Sequence, residues 1–431
     1  MLYAAALALG WPLLVYRRLK RGPGSLALSE RLGAVPPRAG DETCIWVHAV
    51  SLGEINAART IVAEIKQRLP GAVIVVSSTT QTGIARARQI FGEHTVFRFP
   101  LDFSIVLRRV LNRLRPAAIV LMELEVWPNL IEIARARGIP LLIANGRVTE
   151  EKSMRRFGRP VVRTLARRMF QKIAWIGAQD EIYAERFRRL GVPAERVEVV
   201  GSVKYDAADV SDCIPGQDDL AREMGIAANK PLWVCGSTGD DEEALLLDTY
   251  ERIREEVPDL QLALIPRKPE RFDAVAALIA ARGFRCKRRS GKPAVPPTAV
   301  APRNDAGLVY LGDTMGELRK FYALASVIFV GRSLVPMGGS DLMEAAGLAK
   351  PILFGPHTDN FTEVAELLER SGGGKRVASA VMLASAVIEI VRDGALRKRM
   401  AAAARQTIIA RRGATQRTVA RILEHCLHES G

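Results

Sequence analysis

From residue 44 onward, short runs of apolar and β-branched residues recur, separated by longer stretches with helical periodicity. In the first half the runs are Cys44–Val50, Ala72–Ser77, Ala117–Met122, Pro140–Ala144, Ile173–Ala178 and Val197–Val200. In the second half they are Leu232–Cys235, Gln261–Ile265, Leu308–Leu311, Val327–Val330 and Pro351–Phe354. A strand apolar on both faces must be covered on both faces, so these runs predict parallel sheets built from βα units. Two sets in a chain of 431 residues predict an α/β protein with two Rossmann-like, doubly wound domains facing a central cleft. Residues 22–205 are expected to form the first domain, 206–219 an aperiodic linker and 220–431 the second, whose last helix is a candidate to return to the first. A ligand belongs at the strand carboxyl ends that line such a cleft.

Sixty-two Lys and Arg against forty-seven Asp and Glu leave a net charge of +15, which suits phosphorylated ligands or an anionic surface. Nucleic acid is a poor fit, because the arginines are dispersed and aromatics are only 6% of the chain, too few for a stacking platform. Five scattered cysteines without a C-x-x-C pair, and only five histidines, argue against a disulfide framework and against a metal centre. No metal and no cofactor is expected.

Residues Met1–Tyr16 are almost wholly apolar, and Arg17, Arg18, Lys20 and Arg21 follow at once. Sixteen helical residues reach about 24 Å, less than a hydrocarbon core of about 30 Å, but flanking arginines and interfacial Trp11 and Tyr16 suit an anchor. Charge placed after the apolar run leaves the rest of the chain in the cytoplasm. An N-terminal helix packed on the protein's own surface is the alternative. A second segment, Glu151–Lys172, carries eight positive charges against one negative, interleaved with Met154, Phe157, Val161, Val162, Leu165, Met169 and Phe170. It reads either as a cationic amphipathic helix on an anionic leaflet or as a solvated helix with its apolar stripe on the core.

Candidate chemistry sits where the runs end. Ser51-Leu52-Gly53-Glu54 follows the first run and opens a helix to Leu69. Its spacing is that of a capping box, while an ionised carboxylate at a strand end can also accept a proton from an incoming hydroxyl. Met122-Glu123-Leu124-Glu125-Val126-Trp127-Pro128-Asn129 closes a buried run with two carboxylates, which rarely lie in such a place without a partner. A solvated Glu pair beside a core tryptophan is the other reading. In the second half, Pro266-Arg267-Lys268-Pro269 presents two cations after a run. Gly338-Gly339-Ser340-Asp341 is expected to lead a helix reaching about Ala349, a Gly-rich entry suited to an anion. Neither a P-loop lysine nor a G-x-G-x-x-G is present, which disfavours ATP hydrolysis and NAD. A GT-B glycosyltransferase and a sugar-nucleotide epimerase both fit this description. A non-catalytic lipid-binding protein would have no use for the strand-end carboxylates.

Several segments, in one order, resemble the Kdo (3-deoxy-D-manno-octulosonic acid) transferases of bacterial lipopolysaccharide synthesis. They are His48–Glu54, Met122–Asn129, Asn145-Gly146-Arg147, Gly201–Asp206, Pro266–Phe272, Asp313–Leu318 and Gly355–Phe361. The resemblance implies a GT-B fold and inverting transfer of Kdo from CMP-Kdo to the lipid A precursor, on the cytoplasmic face of the inner membrane. It implies Glu54 as general base, and Glu123 and Lys204 as groups that stabilise the transition state. It further implies CMP contacts from Pro266 and Arg267, from Met315, Gly316 and Glu317, and from Asp341, Leu342, Met343 and Glu344. The family's usual Gly-Gly-His-Asn-Pro-Leu-Glu is Gly338-Gly339-Ser340-Asp341-Leu342-Met343-Glu344 here, and its Ser-Thr-His is Ser237-Thr238-Gly239. Inversion needs one displacement and hence one base, by analogy with inverting glycosidases. A departing phosphate monoester calls for cations and N–H donors.

Overall fold

The computed structural model describes residues 28–293 and 307–427. The anchor expected at residues 1–21 lies outside them. Among the described residues no helix is long and apolar enough to cross a membrane. The chain divides into two units: one runs to Ala207 and resumes at Arg411, and the other is Ala208–Ala410.

Among the described residues of the first unit, seven parallel strands form one sheet: β1 (Cys44–His48), β2 (Val73–Ser78), β3 (Thr95–Arg98), β4 (Ala118–Met122), β5 (Leu141–Gly146), β6 (Trp175–Ala178) and β7 (Val197–Val199). Their order, β3-β2-β1-β4-β5-β6-β7, reverses between β1 and β4. Alternation along each strand sends side chains to two cores. Trp46, Ile119, Leu121 and Ile143 enter one, while Ile45, Val47, Val120 and Leu142 enter the other. Each fully buried side chain of this size contributes roughly 1.5–3 kcal/mol, so register is strongly held. The helix Ala414–Leu427 completes the second of these cores with Ala414, Val419, Ile422 and Cys426, packing on helix Leu52–Arg68.

The second unit repeats the plan with β8 (Leu232–Thr238), β9 (Gln261–Pro266), β10 (Arg285–Arg288), β11 (Leu308–Leu311), β12 (Val327–Val330), β13 (Ile352–Phe354) and β14 (Gly374–Arg376). These strands, again parallel, lie in the order β10-β11-β9-β8-β12-β13-β14, with the reversal between β8 and β12. Three strands, β3, β10 and β14, fall outside the apolar runs, and all three are sheet edges: β10 and β14 are rich in Arg and Lys, and β3 (Thr-Val-Phe-Arg) is framed by a polar and a charged residue. An edge strand is half solvated and needs no continuous apolar run.

One expectation needs revision, and one open choice is decided. The helix after Gly338-Gly339 is a single turn, Met343–Ala346, rather than an element reaching Ala349: Asp341 accepts the Met343 N–H at 2.8 Å at its entry, and beyond Ala346 the chain tightens to Leu348 N–H to Ala345 O and Ala349 N–H to Ala346 O bonds before Ala349 turns left-handed at φ +51°. The basic segment is broken into Glu150–Met154, Arg155–Phe157 and Pro160–Phe170. Phe157, Ala166, Met169 and Phe170 are buried in the first core, whereas Leu165 and Arg155, Arg156, Arg159, Arg163, Arg167 and Arg168 face outward. Its apolar stripe therefore packs on the protein, and the cationic face is the one left to solvent.

Candidate functional site

The reversal between β1 and β4 makes a crevice at the strand carboxyl ends, the place where doubly wound sheets bind ligands. Glu54 stands beyond β1 and Glu123 beyond β4, on its two sides. Glu54 is the third residue of helix Leu52–Arg68, only 9% exposed, and the capping box is formed. The Ser51 hydroxyl accepts the Glu54 N–H at 3.2 Å. In return the Glu54 carboxylate accepts the N–H groups of Val50 at 2.9 Å and Ser51 at 3.3 Å. Burial raises its proton affinity, the Val50 and Ser51 groups oppose that, and the Glu123 charge raises it again, with a net upward shift.

Glu123 has a φ of +57°, a left-handed conformation, and donates its N–H to Ala144 O at 2.9 Å. Such a conformation is costly for a non-glycine residue and turns the chain sharply out of β4. Two residues on, burial pushes the Glu125 carboxyl up to about 7, with the Glu54 charge adding to the shift. The Trp127 side chain and Arg156 oppose it. Glu54, Glu123 and Glu125 therefore form one electrostatic cluster, in which neighbouring charges help raise the Glu54 and Glu125 carboxyls.

The turn that carries Glu123 and Glu125 is fixed by Asp102, which sequence reasoning missed. Asp102 is 2% exposed and accepts the N–H groups of Asn129 and Leu130, each at 3.0 Å, at the start of helix Pro128–Ala136. Below the crevice, His48 is fully buried; it bonds through Nδ1 to Ser77 Oγ at 2.9 Å and stacks at 4.1 Å on Phe99. Burial depresses its imidazole to about 3, so it is a neutral packing group and not a proton carrier at neutral pH.

Lys204 lies on the short helix Val203–Ala207 after β7, and that helix packs on the Glu54 helix. Ser202 Oγ accepts the Lys204 N–H at 3.4 Å, and the ammonium has no ion-pair partner among the described residues. Asp206, in the same motif, accepts the N–H groups of Gly413 and Thr415 at 2.6 Å each and so ties in the returning helix.

In the second unit the expected nucleotide contacts gather at the carboxyl ends of β9, β11 and β12. Pro266 ends β9, and Arg267 is exposed, donating its backbone N–H to Thr238 O at 3.0 Å while its guanidinium has no partner among the described residues. Arg271 of the same motif is committed bidentately to the fully buried Glu243, at 2.6 and 3.0 Å. Met315 and Gly316 are exposed, Gly316 with φ +85°. The Glu317 carboxylate is held by Arg289 at 2.9 and 3.2 Å, by Thr314 at 2.6 Å and by Lys320 at 3.1 Å. The Arg289 hydrogen bond is the largest cause of its fall to about 2. Glu317 thus offers a ligand its backbone, not its charge. Leu342 and Met343 are buried, which limits them likewise to backbone contact. Burial and the Asp341 charge raise Glu344, with Arg319 and Arg267 opposing.

A second missed residue organises this edge. Glu242, fully buried, accepts the N–H groups of Gly239 at 3.3 Å, Ser333 at 3.1 Å, Leu334 at 3.0 Å and Arg332 at 2.6 Å. It pins the loop after β12 to the loop after β8, across that sheet's own reversal point. Among the described residues no cluster of His, Cys, Asp and Glu has a metal-holding arrangement.

Residues 27–207 match the family described as 3-deoxy-D-manno-octulosonic-acid transferase (kdotransferase). The chain is 34% identical over 398 residues to the 3-deoxy-D-manno-octulosonic acid transferase of Haemophilus influenzae, covering 90% of this chain and 89% of that protein. It is 33% identical over 423 residues to the enzyme of that name from Bordetella pertussis, covering 94% of each. In fold it is similar to a glycosyltransferase from Rickettsia africae (TM-score 0.58, 12% identity, 91% of this chain and all of that one). Acinetobacter baumannii MurG is also similar (TM-score 0.53, 17% identity, 89% of this chain and all of that one).

Proposed function

This chain belongs to the 3-deoxy-D-manno-octulosonic-acid transferase family and is a glycosyltransferase built from two parallel-sheet α/β domains of GT-B type, and we propose that it transfers Kdo from CMP-Kdo to the lipid A precursor with inversion. The observation that carries the mechanism is Glu54, a nearly buried carboxylate at a switch point, held at both oxygens by backbone N–H groups. In this reading Glu54 takes the proton from the acceptor hydroxyl as that oxygen attacks the anomeric carbon and CMP departs. Burial and the Glu123 charge raise its basicity toward the working pH, which improves a general base. Its fixed geometry means little entropy is lost on alignment.

Lys204, without an ion-pair partner among the described residues, suits the developing negative charge or the donor's carboxylate, and Glu123 suits the developing positive charge at the anomeric carbon. CMP is held by the second unit: Arg267 as an uncommitted cation, and the backbone at Pro266, Met315–Glu317 and Asp341–Glu344. The reaction runs on the cytoplasmic face of the inner membrane. Residues 1–21 serve as anchor, and the outward arginines of Arg155–Arg168 face the anionic leaflet.

The test is release of CMP, together with the mass of the glycolipid product, when the purified full-length chain meets CMP-Kdo and a lipid A precursor. Product requiring both substrates supports the reading. CMP release without a change in the lipid would remove the acceptor from it. Deleting residues 1–21 should move the chain from the membrane to the soluble fraction, and unchanged fractionation would remove the anchor.

A further inference from the structure

The sheet of the second unit reverses between β8 and β12, and the chain leaving β12 presses directly on the end of β8. Gly331 donates its N–H to Gly236 O at 2.8 Å, and a Cβ at Gly331 would stand 2.6 Å from Thr238 Cα. The next residue, Arg332, has a φ of +60°. Glycine adopts that left-handed conformation freely, whereas a residue with a Cβ is strained in it.

The backbone bonds at this position do not call for an arginine. The Arg332 N–H goes to the Glu242 carboxylate at 2.6 Å and its carbonyl accepts the Gly339 N–H at 2.8 Å; a glycine would make both. The half-buried side chain adds one neutral hydrogen bond to the fold, from Nη2 to Met337 O at 3.3 Å. Its guanidinium has no ion-pair partner among the described residues. Three carboxylates that follow β8 are committed elsewhere, Glu242 to four N–H groups, and Asp240 and Glu243 to Arg271.

Gly239 makes room for this side chain. A Cβ there would stand 3.0 Å from Arg332 Cγ and 2.5 Å from Met337 Sδ, so the histidine usual in the family at this place would collide with both. The departure at 239 and the arginine at 332 are therefore one structural change, in which a cation from the end of β12 fills ground vacated at the end of β8.

We propose that Arg332 binds the anionic end of the sugar nucleotide, its phosphate or the sugar's carboxylate, and so sets donor affinity in this chain. The proposal rests on the reading of CMP-Kdo as donor. Doubly wound sheets bind ligands at such a reversal point, and a strained backbone left unrepaid by the fold is characteristic of ligand clamps. The planar fork of a guanidinium matches two oxygens of either group. Arg267 follows β9 and Arg332 follows β12, with β8 between them, so two cations without ion-pair partners among the described residues flank one strand end at a spacing of roughly 10 Å.

The test measures the KM for CMP-Kdo, and the Kd values of CMP and cytidine by calorimetry, for the full chain and for Arg332→Gln, Arg332→Lys and Arg332→Gly. The Gln and Gly variants should raise the KM about tenfold, the loss of one charge-assisted contact, and the Lys variant should recover part of it. Cytidine, which has no anionic group, should bind all four proteins alike. A matching rise in the Kd of CMP assigns the phosphate as the anion, and an unchanged one assigns the carboxylate. Arg332→Gly should also be at least as stable as wild type in urea, because it relieves the strain and keeps both backbone bonds. An unchanged KM in the Gln and Gly variants would overturn the proposal. So would an equal loss of cytidine affinity, or a glycine variant clearly less stable than wild type, since either makes the arginine structural. If wild type does not turn over CMP-Kdo, a CMP Kd that rises in Arg332→Gln strikes the transfer reading and leaves the site standing, and a CMP Kd that ignores the substitution ends both.

Discussion

Asn145 offers its side-chain oxygen to the backbone N–H of Val203 at 3.2 Å, joining the end of β5 to the residue before Lys204. Asn145 is fully buried and has a φ of +55°, a conformation that asparagine tolerates better than most residues. Replacing it with Ala leaves the Val203 N–H unsatisfied and should cost about 1–3 kcal/mol in urea unfolding. Asn145→Gly relieves the backbone strain but not the lost acceptor. We expect both variants to lower kcat, and a glycine variant with the wild-type rate would detach Asn145 from the placement of Lys204.

Glu54 has two roles that substitution can separate. Ser51→Ala removes the cap's hydroxyl and should cost about 1 kcal/mol of stability while keeping most of the transfer rate. Glu54→Gln keeps one acceptor oxygen for the cap, so its stability should fall by no more than that. Its transfer rate should fall by at least about a hundredfold, as expected for loss of a general base. Rates that follow stability across the two variants would leave Glu54 as a cap alone.

Glu125 predicts a pH dependence with a definite sign. Its carboxyl is raised to about 7 in the folded chain, so the folded state binds a proton more tightly than the unfolded state does. Stability should therefore decline as pH rises from about 4.5 to 7 and level off above. Glu125→Gln should flatten that slope and be the more stable protein at pH 8. Urea midpoints at pH 5 and pH 8 for both proteins decide it, and parallel slopes would exclude Glu125 as the cause.

Glu242 should be intolerant even of the isosteric amide. One glutamine oxygen cannot replace a carboxylate that accepts four N–H groups, and the amide brings two donors into a site already full of donors. Glu242→Gln should cost roughly 2–4 kcal/mol and weaken CMP binding in calorimetry. CMP binding at wild-type affinity would mean that the loops after β8 and β12 do not depend on this anchor.

How much of this was legible depends on where each residue finds its partners. Central strands such as Cys44–His48 and Ala118–Met122 are buried on both faces, so their apolar runs announce them. The edges Arg285–Arg288 and Gly374–Arg376 are polar because one side meets water, and the short edge Thr95–Arg98 has only two apolar residues, so no apolar run marks them. In the candidate site, Glu54 and Glu123 stand out as charges at the ends of buried runs. Asp102 and Glu242 do not, since the N–H groups they accept lie far along the chain: those of Asn129 and Leu130 for one, and those of Arg332, Ser333 and Leu334 for the other.

The return of helix Ala414–Leu427 to the first core has a consequence in time. Residues 208–410 can emerge from the ribosome and complete their own sheet while the earlier unit still lacks Ala414, Val419 and Ile422. The half that is synthesised first therefore matures last. Until that helix emerges its newborn core keeps an open apolar groove over Ile55, Ala58 and Ile61, so products cut short before residue 414 should be prime clients for chaperones and proteases.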